Sequence, residues 1–205
     1  MDNPVTERLN RYRTAPNALT LLRICLAPFL VAAILDDHYA LGFALFAAAG
    51  LTDLLDGLLA RVLKQRSVLG QYLDPVADKL LLSTLFLVLL HKGLMPTTVT
   101  VLVFGRDVGI LVVAAILYAA AGRREFSPSL LGKANTLAQV AAVAAVLMQQ
   151  ALLQQMLWQQ AASLQWVVVF RQVALDATIG LTVASGFHYA WLAARRMSVN
   201  GHVAK

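Results

Sequence analysis

The sequence predicts an all-α fold: an integral membrane bundle of six transmembrane helices with an N-terminal interfacial helix. Three observations lead there. The 205 residues include only 14% charged side chains and have a mean hydropathy of +0.68, too apolar a balance for a soluble globular domain. The apolar runs approach the roughly 20 residues that a membrane helix needs, and six of them fit this length with short connections. The basic residues, finally, alternate by connection: they collect in the N-terminal arm, the turn at 61–66, the segment 123–133 and the C-terminus, while the intervening turns hold Lys92 and Arg171. The division expected is a juxtamembrane arm at 1–15, one membrane domain at 16–196 and a tail at 197–205.

Each element follows from its residues. In 4–14, Val5, Leu9 and Tyr12 share one helical side with Arg8 and Arg11 elsewhere, the pattern of a short helix on an anionic membrane surface. The first span, about 18–35, is read as a retained helix because it lacks a small-residue cleavage site; no transit peptide is visible. It opens with Asn17, Thr20 and Arg23 at a spacing of three, a polar stripe on an apolar helix, and such groups normally face a protein interior or cavity. The single cysteine, Cys25, cannot form an internal disulfide and is expected to be a buried structural thiol. The second span, about 39–59, contains Ala47-Ala48-Ala49-Gly50, small residues that let helices approach closely in lipid.

The third span is expected from about 75 to 90, since Asp74 before Pro75 fits a helix start and places Asp78 and Lys79 in the first turn. The fourth, 97–121, carries Arg106-Asp107. Neighbours on a helix point about 100° apart, so no simple mutual salt bridge is expected, and one or both should face a central cavity. A basic loop leads into the fifth span, which should end near 150. Paired glutamines alternating with Leu, Met, Trp158 and Trp166 over 149–166 predict an interfacial stretch. The last span, about 171–194, carries Asp176, Ser185 and His188, the histidine being read as a structural hydrogen bonder.

The chemistry concentrates in the segment from Asp53 to Asp78, which holds four of the chain's 11 acidic residues. Asp53 and Asp56 are three apart and share a helical face; Asp74 and Asp78, four apart, do the same on the next helix. A polar turn with Arg61, Lys64, Arg66 and Gly70 should fold the second helix beside the first. Four converging carboxylates near a bilayer need a cation among them or raised pKa values. No His or Cys lies among them, which favours a hard cation with oxygen ligands, Mg²⁺ or Mn²⁺, of the kind that shares its shell with substrate phosphates. Gly57 and Ala60 offer small surfaces beside the acids where a bulky ligand can approach the backbone.

The pattern Asp53-x2-Asp56-Gly57-x2-Ala60-Arg61-x8-Gly70-x3-Asp74-x3-Asp78 resembles, at all eight fixed positions and every spacing, the signature of the CDP-alcohol phosphatidyltransferase family. The resemblance extends over about 16–194. It implies that Asp53, Asp56, Asp74 and Asp78 bind two divalent metals, that the small residues border a cytidine nucleotide, and that Asp78 is the general base. The nucleotide-binding set it implies is Asn17, Thr20, Arg23, Asp56, Gly57, Ala60, Arg61 and Gly70. Arg106 and Lys133 are the candidates for an acceptor or lipid phosphate. The implied reaction takes CDP-diacylglycerol and an alcohol and releases CMP, in a protein that is a homodimer.

Gly105-Arg106-Asp107-Val108 and Leu131-Gly132-Lys133-Ala134-Asn135-Thr136 are similar to the CMP-forming cardiolipin synthases, which implies phosphatidylglycerol as acceptor. Makers of phosphatidylglycerol phosphate, with glycerol 3-phosphate as acceptor, are the alternative; they often carry Glu and Lys where this chain has Asp107 and Asn135. A reading of another class, an ion-coupled transporter, would need polar residues continuing across the membrane rather than acids confined to one boundary. By the positive-inside rule both termini and the motif turn face the cytoplasm, so the metal site sits at the cytoplasmic boundary of what is read as a bacterial inner membrane. No nucleic-acid partner is expected.

Overall fold

The computed structural model describes the backbone of residues 15–63, 68–121, 130–155 and 165–201, with side chains over 22–52, 78–112, 130–155 and 165–192. Six helices and no strand occur among the described residues: α1 Ala15–Leu35, α2 Tyr39–Leu63, α3 Val68–His91, α4 Thr97–Ala121, α5 Leu130–Gln155 and α6 Gln165–Gly201. The expected helix at 4–14 and Trp158 lie outside the described residues.

The helices close into a ring. α1 packs on both α2 and α3, α2 on α5, α5 most extensively on α6, and α6 on α4; α3 completes the circle with lighter contacts to α4 and α5. Apolar side chains recur at helical spacing on the inner faces. Leu82, Leu85, Phe86 and Leu89 form one stripe of α3, and they pack with Leu30 and Ile34 of α1, Phe46 of α2, Val99 and Val103 of α4, and Val143, Val146 and Leu147 of α5. The outer faces are apolar too: Phe29, Leu80, Val101, Leu111, Leu137 and Phe187 are all exposed. Helices that are hydrophobic on every side suit a lipid surround. By length and composition α5 and the Gln165–Leu192 part of α6 are able to cross a membrane; Leu22–Leu35 and Tyr39–Thr52 are shorter apolar stretches among the described side chains.

Contacts sort the helix termini into two ends. At one end α1 and α3 finish in the same way. His38 N–H donates to Ala33 O at 2.8 Å, and Leu94 N–H to Leu89 O at 2.9 Å, each closing a helix with a left-handed residue two positions past its end, Asp37 (φ 62°) and Gly93 (φ 70°). Asp37 thus occupies a position where glycine is usual, and aspartate is one of the few side chains that tolerate it. Its carboxylate pairs with Lys92 Nζ at 2.5 Å and accepts from Tyr39 Oη at 2.5 Å. Lys92 also donates to Leu35 O at 3.1 Å, Gln154 donates to Asp37 O at 2.5 Å, and Arg171 donates to Leu94 O at 3.1 Å. Five helices are therefore fastened at this end. The opposite end gathers Arg23, Asp78, Lys79, Arg106, Asp107, Asn135 and Ser185.

Several expectations are corrected. α3 starts at Val68, not Pro75, so Asp74 is no helix cap and Gly70 is helical rather than part of a turn. A proline inside a helix forfeits one N–H, here the donor to Gln71 O, and helices in packed membrane bundles tolerate that gap. α5 runs to Gln155 and α6 begins at Gln165, so both ends of the expected interfacial stretch are helical instead. Of Ala47 to Gly50 only Ala49 is buried, because four consecutive residues point all round a helix. The close approach is at Gly42, where a Cβ would meet Ile34 Cγ1 at 3.2 Å. Cys25 is exposed, not buried, on the side of α1 away from Arg23.

Candidate active site

The polar end is built from side chains that successive turns of different helices bring together. Arg23 lies in α1 between the two acid-bearing helices, since α1 packs on both α2 and α3. Its side chain is only 3% exposed, and its guanidinium pairs with the carboxylate of Asp78. Buried arginine needs a partner of this kind, and the planar guanidinium holds a carboxylate in a fixed direction. One residue on, Lys79 reaches across to α4 and pairs with Asp107 at 2.5 Å.

Asp107 serves a second cation. Arg106 Nη1 donates to Asp107 Oδ1 at 2.9 Å. The adjacent pair thus does form the contact that helical geometry argued against, because the long arginine stem bends back over the roughly 100° between neighbours. Arg106 Nε donates to Ser185 Oγ of α6 at 3.2 Å, and the guanidinium lies 5.8 Å from the centroid of the Tyr189 ring. Ser185 in turn donates to Thr182 O at 3.0 Å, and Thr182 donates to Asn135 Oδ1 of α5 at 2.9 Å. A polar chain therefore links α3, α4, α6 and α5. His188 makes an edge contact with Tyr189, ring centroids 6.1 Å apart.

Asn135 Nδ2 and, one turn further in, Gln139 Nε2 are buried amide donors without a partner among the described residues. Such groups are costly to leave unmade and suit an oxygen acceptor. Lys133, near the start of α5, is exposed.

The helix register places the other expected residues. Asn17 and Thr20 lie on α1 in the turns before Arg23. Asp53, Asp56, Gly57, Ala60 and Arg61 lie on the second half of α2, and Gly70 and Asp74 on α3 ahead of Asp78. The side chains of these residues are outside the described set. Among described side chains no group of three or more His, Cys, Asp or Glu forms; of the four motif acids only Asp78 belongs to that set. Asp53, Asp56, Asp74 and Asp78 carry oxygen atoms alone, the donor chemistry that suits a hard divalent cation.

Sequence reasoning gave Lys79 and Ser185 a place on their helices but no role at the site, and missed Thr182 and Gln139; hydroxyls and amides are common in any helix and carried no spacing signal.

Residues 13–182 match the model of the CDP-alcohol phosphatidyltransferases. The chain belongs to the CDP-alcohol phosphatidyltransferase family. Among curated relatives, human cardiolipin synthase (CMP-forming) is 45% identical over 106 residues, 51% of this chain and 35% of that protein. The CDP-diacylglycerol–glycerol-3-phosphate 3-phosphatidyltransferase of Bacillus subtilis is 32% identical over 191 residues, 85% of this chain and 92% of that protein. A probable phosphatidylglycerophosphate synthase of Mycobacterium tuberculosis is 35% identical over 140 residues, 65% of each chain. The match spans about a third of the length of the human protein and of the rat and Drosophila cardiolipin synthases. Family membership, the two membrane-length helices and the apolar circumference together support a membrane location.

Proposed function

We propose that this phosphatidyltransferase-family chain moves a phosphatidyl group from CDP-diacylglycerol to the hydroxyl of phosphatidylglycerol, releasing CMP and forming cardiolipin. The observation that carries the reading is the pairing of Asp78, the last acid of the family motif, with the buried Arg23, beside a cluster of cations at one end of the bundle. In this reading Asp78 takes the proton of the acceptor hydroxyl as its oxygen bonds to phosphorus and the bond to the departing CMP breaks. Arg23 orients Asp78, and Asn17, Thr20, Asp56, Gly57, Ala60, Arg61 and Gly70 contribute the nucleotide pocket along α1, α2 and the start of α3. Arg106 and Lys133 receive the acceptor's phosphate.

Asp53, Asp56, Asp74 and Asp78 would hold Mg²⁺ or Mn²⁺, two ions in all. A metal held by these carboxylates would supply positive charge beside the pyrophosphate.

A second acceptor, glycerol 3-phosphate, is favoured by a specific observation: the Bacillus subtilis glycerol-3-phosphate 3-phosphatidyltransferase matches along nearly its whole length. The same reading includes six membrane spans, a homodimer, and a bacterial inner membrane with the polar end at the cytoplasmic boundary. That orientation rests on the larger number of basic residues in the N-terminal arm, 61–66, 123–133 and the C-terminus than at the opposite end, which holds Lys92 and Arg171.

The test is CMP release by purified protein in detergent with CDP-diacylglycerol and Mg²⁺ or Mn²⁺, supplied separately with phosphatidylglycerol and with glycerol 3-phosphate. Chelator should abolish release and added metal restore it. Release with phosphatidylglycerol alone supports the cardiolipin reading, release with glycerol 3-phosphate alone transfers the protein to the second, and release with neither refutes both.

A further inference from the structure

Asn135 and Gln139 lie four residues apart on α5, on one face and about 6 Å from each other along the axis. They are 0% and 2% exposed, and the reaction described above uses neither. On α6, Thr178, Thr182 and Ser185 recur at intervals of four and three and are as deeply buried, a second polar stripe on the helix that packs most extensively on α5. The two stripes meet where Thr182 Oγ1 donates to Asn135 Oδ1 at 2.9 Å.

The hydroxyls and the amides differ in what they leave over. Thr178 donates to Ala174 O at 2.8 Å, Ser185 to Thr182 O at 3.0 Å and Thr182 to Asn135, so all three hydroxyl protons are engaged. The bond from Thr182 occupies the amide oxygen of Asn135 and so turns Nδ2 away from Thr182. That nitrogen and Gln139 Nε2 have no partner among the described residues. A buried donor without an acceptor is destabilising, and two on one face of one helix, beside hydroxyls that are all engaged, mark a place for an incoming oxygen. Both nitrogens are closed to solvent in this structure, so such an oxygen reaches them by a local parting of side chains between α5 and α6. The new hydrogen bonds offset that cost.

The chemistry of the donors selects the ligand. Amide N–H groups are uncharged and suit an uncharged oxygen, whereas a phosphate is drawn to the cations. Arg106 Nε donates to Ser185 Oγ at 3.2 Å, and the chain of bonds runs on through Thr182 to Asn135. The amides are therefore tied to the guanidinium that receives the acceptor's phosphate in the reading above. In a glycerol headgroup the secondary hydroxyl lies between the carbon that bears the phosphate and the carbon whose hydroxyl reacts. Phosphatidylglycerol and glycerol 3-phosphate both have it.

We propose that Asn135 and Gln139 are specificity-determining residues whose amide N–H groups bind the secondary hydroxyl of a glycerol-bearing acceptor, next to the hydroxyl that reacts. The inference rests on the phosphatidyl-transfer reading. It makes the protein selective for a polyol headgroup over a simple alcohol, since a site built to bond a hydroxyl rejects the analogue that lacks it.

The experiment measures kcat/KM for CMP release with two matched pairs of acceptors: phosphatidylglycerol against phosphatidyl-1,3-propanediol, and glycerol 3-phosphate against 3-hydroxypropyl phosphate. The second member of each pair lacks only the secondary hydroxyl, and the pair that supports release identifies which headgroup supplies it. The parent protein should prefer the hydroxyl-bearing member by roughly tenfold or more. The preference should fall to about threefold in Gln139→Met and in Asn135→Leu and vanish in the double variant. A purely structural role lowers the rates on both members alike and leaves the preference standing; that result, or a parent without preference, overturns the inference while leaving the reaction intact. Release with neither headgroup refutes the reaction reading and the inference with it. Asn135→Leu strands the Thr182 hydroxyl; should that variant not fold, Gln139→Met decides, a reduced preference upholding the inference and a parental one overturning it.

Discussion

Arg23 of α1 closes on Asp78 of α3 across 55 positions of sequence, a buried guanidinium fixed to the last acid of the motif. A hydrogen bond to a charged group is worth about 1.5–3 kcal/mol net, which corresponds to roughly 10- to 150-fold in an equilibrium or rate. Arg23→Gln should therefore lower CMP release within that range. It should also reduce the thermal midpoint in detergent, because the pair joins two helices. A variant with parental turnover would show that Arg23 does not orient Asp78.

Asp78→Asn keeps the shape of the side chain and removes its ability to take a proton. General-base catalysis contributes roughly 10²- to 10⁴-fold, so release should fall by that factor while a cytidine nucleotide still binds, as measured by equilibrium binding. Parental rates in this variant would refute the assignment of the base.

The fastening at the opposite end depends on pH. The hydrogen bond from Lys92, then that from Tyr39, holds the carboxyl of Asp37 below its ordinary range. A depressed folded-state pKa stabilises the fold above the unfolded value, near 3.9, and that contribution disappears as pH falls through the folded value. At neutral pH the parent should melt above Asp37→Asn, which keeps the tolerance for a left-handed backbone but loses the charge. The two melting temperatures should converge as pH drops below about 4. A gap that persists in acid would mean that the Lys92 pair contributes nothing.

Gly42 of α2 lies close against Ile34 of α1. A Cβ there would lie 3.2 Å from Ile34 Cγ1, so Gly42→Ala asks the Ile34 side chain to give by a few tenths of an ångström. Gly42→Leu has no such escape and should destabilise by about 1–3 kcal/mol, read as a lower thermal midpoint or a lower yield of folded protein. Equal stability of the two variants would place the close approach elsewhere.

How much of this was legible beforehand depends on distance along the chain. Periodicity within a helix fixed the register of Asn17, Thr20 and Arg23, and of the acids on α2 and α3, because a helix repeats locally. It could not say which helix lies beside which, so the partners of Arg23, Lys79 and Arg106 were invisible. The start of α3 was misplaced because Asp74-Pro75 is a strong local signal for a helix start, yet the helix continues through it. Cys25 and the run from Ala47 to Gly50 failed for a related reason: in an apolar chain, composition does not distinguish the face toward protein from the face toward lipid. The adjacent Arg106-Asp107 pair was judged by backbone angle alone, which neglects the reach of an arginine.

The asymmetry between the two ends has a mechanical consequence. Short turns and bonds to backbone carbonyls pin the helices at the Asp37–Lys92 end, where side-chain rearrangement can release little. At about 1.5 Å per residue, a helix of 24 residues is a lever of about 36 Å. Pivoting by about 5° at its pinned end would swing the far tip by roughly 3 Å. Asp78, about 20 Å from that pinned end, would move by roughly 1.7 Å, so a slight splaying changes the aperture beside it, while the stripe of Leu85, Phe86 and Leu89 near the fulcrum shifts least.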